Sequence, residues 1–187
     1  LQLNAGEDKN EWFKCTAKDV MAAIVALQTG TANIEKRTQT FDMRPEQERA
    51  VKMTVDYFRQ QKIDEPDRTP KFLWNAKMRF GKTFASYQLA KRMGFKRILI
   101  LTFKPAVESA WRDDLVSHVD FEGWQFISNK DAKNNSLNID QEYAHADKSK
   151  PIVVFGSFQD MLGTGDGGGI KAKNEFIHTV SWDLVIF

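Results

Sequence analysis

The sequence predicts an α/β fold built on a mostly parallel sheet with helices on both faces, and three observations carry that expectation. Short apolar runs alternate with helix-patterned stretches from residue 72 to residue 187. Two of the runs, 97–103 and 151–155, are almost continuously apolar, as strands covered on both faces must be. The 187 residues, 42% hydrophobic and 28% charged, suffice for one domain with a core and exclude a disordered or low-complexity chain.

Taken in order, Thr16-Ala-Lys-Asp19 has the capping-box pattern ahead of the apolar run 20–27, and Gly30 follows as a stop, so a helix of about fourteen residues is expected. Residues 31–39 are polar and read as a linker. Pro45 suits the first turn of a second helix, with Ala50, Val51, Val55 and Phe58 on one face until about Gln61. The stretch 63–70, with two prolines, is a loop. Residues 72–74 form a short strand, 82–93 a helix closed by Gly94, and 97–103 a buried strand. Pro105 opens a helix through about His118. A weaker strand spans 124–127, and the polar stretch 130–150 is irregular. A strand at 151–155, a helix at 170–180 and a last strand at 183–187 complete the pattern.

Composition excludes several functions. No apolar run approaches the length of a membrane span. One cysteine, Cys15, rules out an internal disulfide and suits the cytoplasm, and with His118, His145 and His178 scattered, no metal-ligand spacing appears. Leu1 is not a natural start and no signal segment follows it, so a piece of a longer chain is expected. The net charge is only +2 but unevenly spread. Residues 71–112 hold ten Lys or Arg and one acid, Glu108, a net +9, whereas the remainder, with 17 bases and 24 acids, carries −7. Such a block suits a surface that meets phosphates, although solvated helix faces would look the same.

The chemistry concentrates at Ala76-Lys77-Met78-Arg79-Phe80-Gly81-Lys82-Thr83. It matches G-x-x-x-x-G-K-[ST] except that Ala76 replaces the first glycine. Between a strand and a helix, such a loop wraps a phosphate chain with backbone N–H groups and turns the positive helix end toward the anion. Gly81 would let the backbone approach closely, Lys82 would act as the catalytic cation on the β and γ phosphates, and the Thr83 hydroxyl would complete a Mg²⁺ shell. Ala76 must then sit at negative φ. A second group, Phe41-Asp-Met-Arg44-Pro45-Glu-Gln47, lies 35 residues earlier, measured from Gln47 to Lys82. The Gln47 amide can both donate to and accept from adenine, and Phe41 could stack on the base; a plain surface helix start is the alternative.

With these residues in view, the chain resembles the first motor lobe of superfamily 2 helicases and translocases, closest to the restriction-enzyme branch of the type III kind. The shared residues are Arg44-Pro45-x-Gln47, the stretch from Asn75 to Thr83, Thr102-Phe-Lys104-Pro105, Ser157-Phe-Gln159, and Asp183-Leu-Val-Ile-Phe187 as the strand that leads to the family's Asp-Glu pair. The resemblance implies a RecA-like P-loop three-layer sandwich over residues 39–187, incomplete at its C-terminus, behind a helical extension or linker at 1–38. It implies ATP and Mg²⁺ as cofactors, with Phe41, Arg44, Gln47 and residues 76–83 around the nucleotide. Lys104, Pro105, Ser157 and Gln159 would face double-stranded DNA. Implied partners are a second motor lobe, a nuclease domain of the same parent chain and a methyltransferase subunit. Because the chain stops before the Asp-Glu pair, ATP turnover by this stretch alone is not expected. Residues 11–16 also resemble the tail of a GIY-YIG-type nuclease domain, or else Trp12 and Phe13 merely dock the first helix.

Two other readings belong to different classes: a non-catalytic DNA-binding module using the basic block, and a small P-loop kinase, for which no acceptor motif is evident. The glycines at 163, 165 and 168 spell G-x-G-x-x-G but follow no strand directly, and read as a loop. Asp113-Asp114 reads as a solvated helix face. Trp74 and Trp111 are the tryptophans expected beneath the nucleotide.

Overall fold

The computed structural model describes residues 2–3, 13–161 and 174–187. It divides into two compact units, one of residues 1–42 with 116–122, the other of 43–115 with 123–187.

In the first unit, β1 (Gln2–Leu3) and β2 (Phe13–Lys14) pair antiparallel. Then α1 (Ala17–Thr29) starts as its sequence requires: Asp19 N–H donates to Thr16 Oγ1 at 3.2 Å, and Asp19 accepts from Thr16 N at 2.8 Å. Gly30, at φ +67°, ends it in the left-handed conformation. The expected linker at 31–39 is tied down instead. Asn33 Nδ2 donates to the carbonyls of Ala22 and Arg37, at 3.1 and 2.6 Å. The buried Arg37 guanidinium donates to Glu35 at 2.7 Å and to the His118 carbonyl at 2.8 Å. A buried cation is tolerated only with such partners. Polar composition failed to reveal them because Arg37 and His118 are 81 residues apart.

The second unit holds α2 (Pro45–Asp64), α3 (Lys82–Met93), β3 (Arg97–Thr102), most of α4 (Glu108–Ser117), β4 (Gln125–Ser128), α5 (Asn129–Asn134), α6 (Ile139–His145), β5 (Ile152–Ser157), α7 (Phe158–Met161), α8 (Glu175–Thr179) and β6 (Leu184–Ile186). The four strands form one all-parallel sheet in the order β4-β5-β3-β6. Ile98 faces Val153 and Leu184, and Val153 faces Phe126. The expected α/β architecture with a parallel sheet is therefore present.

Alternation along the central strands divides the core into two faces. Leu99, Ile152 and Val154 pack with Ala132 of α5, Ile139 of α6 and Ile177 of α8. The opposite face carries Phe126 stacked on Phe155 at 6.1 Å, with the Arg112 guanidinium of α4 4.7 Å above the Phe126 ring. Separately, α2 packs on α3 through Val51, Val55, Ala85 and Leu89.

Two expectations fail locally. Residues 72–74 are not a strand; Phe72 and Leu73 are exposed, Leu73 to 89%, and neither has a neighbouring strand to pair with among the described residues. The stretch 130–150 is not irregular but contains α5 and α6. Their signals are local caps: Ser128 Oγ accepts from Asp131 N at 3.3 Å, and Gln141 Oε1 accepts from Asn138 N at 2.9 Å. Only part of the helix expected at 170–180 lies among the described residues, as α8. The glycine-rich stretch 163–169 and Trp12 lie outside them. No helix among the described residues is long and apolar enough to cross a membrane.

Candidate functional site

The loop ahead of α3 is the most distinctive polar construction in the second unit. Gly81 caps α3 at φ +77°, and Arg79 also takes a positive φ of 62°. Ala76 does not, so the replaced glycine imposes no strain there. An L-residue in left-handed geometry costs about 1–2 kcal/mol, so Arg79 is held by its surroundings.

Those surroundings come from the start of α2. Arg44 Nη2 donates to the Arg79 carbonyl at 2.7 Å and also to that of Phe80. Gln47, 4% exposed, donates from Nε2 to Phe80 O at 2.8 Å and Gly81 O at 3.2 Å, while its Oε1 accepts from Arg44 N at 2.8 Å. Lys82 curls back over the loop, its Nζ donating to the carbonyls of Ala76 and Lys77 at 3.2 Å each. Behind the loop the Trp74 indole donates to Thr54 Oγ1 at 2.8 Å and meets Phe80 edge-on at 6.1 Å.

The exposed surface of the loop is cationic. Lys77, Arg79 and Lys82 are exposed, and among the described residues none of them pairs with a carboxylate. Met78 projects beside them at 90% exposure. Thr83 is half-buried in the first turn of α3. The described residues contain no group of three His, Cys, Asp or Glu side chains placed to hold a metal.

The structure thus brings Arg44, Gln47 and residues 76–83 together, but through the loop's own carbonyls. Both ends of the Gln47 amide are engaged within the protein. Phe41 belongs to the first unit, where its ring meets His118 edge-on at 4.8 Å and its carbonyl bonds His118 Nε2 at 2.8 Å. Trp111 meets the buried Tyr87 edge-on, at 5.6 Å. Lys104 and Pro105 are exposed just beyond the C-terminal end of β3, where the Thr102 hydroxyl donates to Lys104 O at 2.9 Å. Ser157 is 1% exposed, so its side chain presents nothing to a DNA backbone in this conformation. Of Gln159 the structure describes only its place in α7.

Sequence reading missed one polar cluster. Ser128 Oγ lies 2.8 Å from Glu108 and 2.9 Å from Asp131, so its one proton can be donated to either carboxylate, and Arg112 bonds Asp131. Its local signals were the i,i+4 spacing of Glu108 and Arg112 and the Ser128–Asp131 cap; the contacts that join the two pairs are long-range.

The comparisons bear on these residues. No protein-family model matches the chain, and no solved structure does. The chain is similar to a protein of Mycoplasma pneumoniae, provisionally named as the C-terminus of a type II restriction enzyme and methyltransferase. The two are 33% identical over 159 residues, covering 81% of this chain. This chain spans only a fifth of that relative's length.

These findings overturn the motor-lobe reading. The relative is named as a type II restriction enzyme and methyltransferase, not as a type III helicase, and no helicase family matches. The assignments as a helicase or translocase lobe and as an ATP-dependent enzyme fall with it. The structure shows where the resemblance was weak: the loop does not follow a strand, because residues 72–74 pair with no strand among the described residues. A short glycine-lysine-threonine turn before a helix is too small a pattern to fix a mechanism.

Proposed function

We propose that this chain is a DNA-contacting segment of a restriction–modification endonuclease, gripping the phosphate backbone through Lys77, Arg79 and Lys82. The observation that carries the reading is the braced loop itself. Arg44 and Gln47 hold its carbonyls inward, so three cations without a carboxylate partner among the described residues crowd one exposed turn at the start of α3. A fixed cationic turn at a helix N-terminus favours phosphate both by charge and by dipole. The relative's printed name supplies the biological setting, a system that cuts and methylates DNA. This chain matches a fifth of that relative, so the proposal is confined to DNA contact and gives the chain neither cleavage nor methyl transfer. Contacts of this kind position a duplex without reading its sequence.

The test is fluorescence anisotropy of the chain with a labelled duplex across a salt series. Replacing Lys77, Arg79 and Lys82 together by alanine should weaken binding, and the slope of log affinity against log salt should flatten by about 1 for each phosphate no longer neutralised. Unchanged affinity and slope would remove the loop from the interface. ATP with Mg²⁺ is the discriminating competitor: if it displaces DNA from the parent chain, the loop belongs to a nucleotide instead.

A further inference from the structure

At the other end of the sheet, the starts of β3 and β5 and the residue before β6 border a cleft of about 470 Å³. Its charged lining is Lys96, Arg97, Lys148, Lys150 and Asp183, beside the rings of Phe95 and Tyr143. The single carboxylate is already committed. Asp183 accepts from the amides of Lys96 and Arg97 at 2.9 and 2.8 Å and pairs with the Arg97 guanidinium at 3.0 Å.

Three ammonium groups remain. Lys96 Nζ donates to the Ser149 carbonyl at 3.1 Å. Lys148 Nζ donates to the Tyr143 carbonyl and sits 3.6 Å from the centre of the Tyr143 ring. Lys150 comes no closer than 3.9 Å to Asp147, whose carboxylate already accepts from the Ser149 amide at 2.9 Å and its hydroxyl at 2.6 Å. Carbonyls and a ring orient Lys96 and Lys148 without neutralising them, and Lys150 has only the loose pair with Asp147 at 3.9 Å, a carboxylate shared with Ser149. Burial also lowers the Lys148 pKa below the ordinary lysine range, and no carboxylate opposes that shift. Like charges gathered in one cleft repel, and a bound anion relieves the repulsion.

We propose that this cleft binds a phosphate group, at a site separate from the loop before α3. Its volume falls within the range of small-ligand pockets, about 300–1,000 Å³. The phosphate's source is either a free phosphate compound or a nucleic-acid strand, and the lining chemistry is the same for both.

Calorimetric titration with inorganic pyrophosphate tests the site. Binding should be saturable, and Lys96→Ala with Lys150→Ala, both exposed positions, should weaken it about tenfold or more while leaving the melting temperature within a degree or two. Lys148→Gln should weaken it further. The loop variant lacking Lys77, Arg79 and Lys82 should bind pyrophosphate as the parent does, which separates this site from the proposed DNA interface. No binding, or binding insensitive to Lys96 and Lys150, would overturn the proposal. In that same loop variant, a duplex that competes with pyrophosphate identifies a strand as the source; a duplex that does not identifies a free phosphate compound.

Discussion

The carboxamide of Gln47 stands where a β-carbon on Gly81 would have to go. Its Nε2 is 3.2 Å from the Gly81 carbonyl, and a side chain at residue 81 would meet Nε2 before any other atom. The glycine is thus required twice, by its φ of +77° and by the amide packed against it. The loop and the start of α2 are one mechanical unit within the second unit of the fold.

Gly81→Ala should destabilise the protein by about 2–4 kcal/mol, combining left-handed strain with displacement of the Gln47 amide. Gln47→Ala should cost about 1–3 kcal/mol, because two inward carbonyls lose their donor. The double variant should cost less than the two single losses added, since the alanine at 47 removes the obstacle to a β-carbon at 81. Urea denaturation of the four proteins checks this, and strict additivity would show that the two residues act separately.

Asp183 makes acid stability depend on the edge strand. Burial pushes its carboxyl upward, but the Arg97 guanidinium and the amides of Lys96 and Arg97 outweigh that, so its pKa lies below the ordinary carboxylate value. A depressed folded pKa contributes stability that is present above the unfolded value, about 3.9, and lost as the pH falls through the folded one. Asp183→Asn should therefore lower the melting temperature at neutral pH, and the gap to the parent should narrow below pH 4. An equal gap from pH 7 to pH 2.5 would place the stabilisation elsewhere.

Tyr87 supplies an alkaline counterpart. Its hydroxyl, wholly buried, donates to the Trp111 carbonyl at 2.9 Å, and its ring meets Trp111 and Trp124 edge-on at 5.6 and 6.3 Å. Burial foremost, then the Asp114 charge, raises its pKa well above the ordinary tyrosine value. Stability from keeping it protonated is complete below the unfolded pKa, about 10, and is lost as the pH rises beyond it. Of the three tyrosines, absorbance titration should show one that ionises only with unfolding. Tyr87→Phe should remove that step and cost about 0.5–1.5 kcal/mol; three tyrosines titrating together near pH 10 would contradict the burial.

What could be read directly were features whose cause is local. Thr16 with Asp19, Pro45 and Gly94 fixed helix ends because caps act within one turn, and the apolar runs 97–103 and 151–155 became β3 and β5 because both faces needed cover. The glycine-lysine-threonine turn was also visible, but the pattern carried a family resemblance further than its neighbours support. Residues 72–74 have strand-like composition, yet a strand exists only where another strand offers hydrogen bonds, and none among the described residues does there.

The amino-acid order by itself settled the α/β class, the starts of α1, α2 and α3, and the concentration of positive charge. Tertiary structure alone decided that Gln47 turns inward to the loop, that Arg37 is buried against His118, and that Lys96 shares a cleft with Lys148 and Lys150. The reason is physical. Caps and periodicity arise between residues a turn apart, whereas a side chain's partners and its dielectric surroundings are set by segments that meet only when the chain has folded.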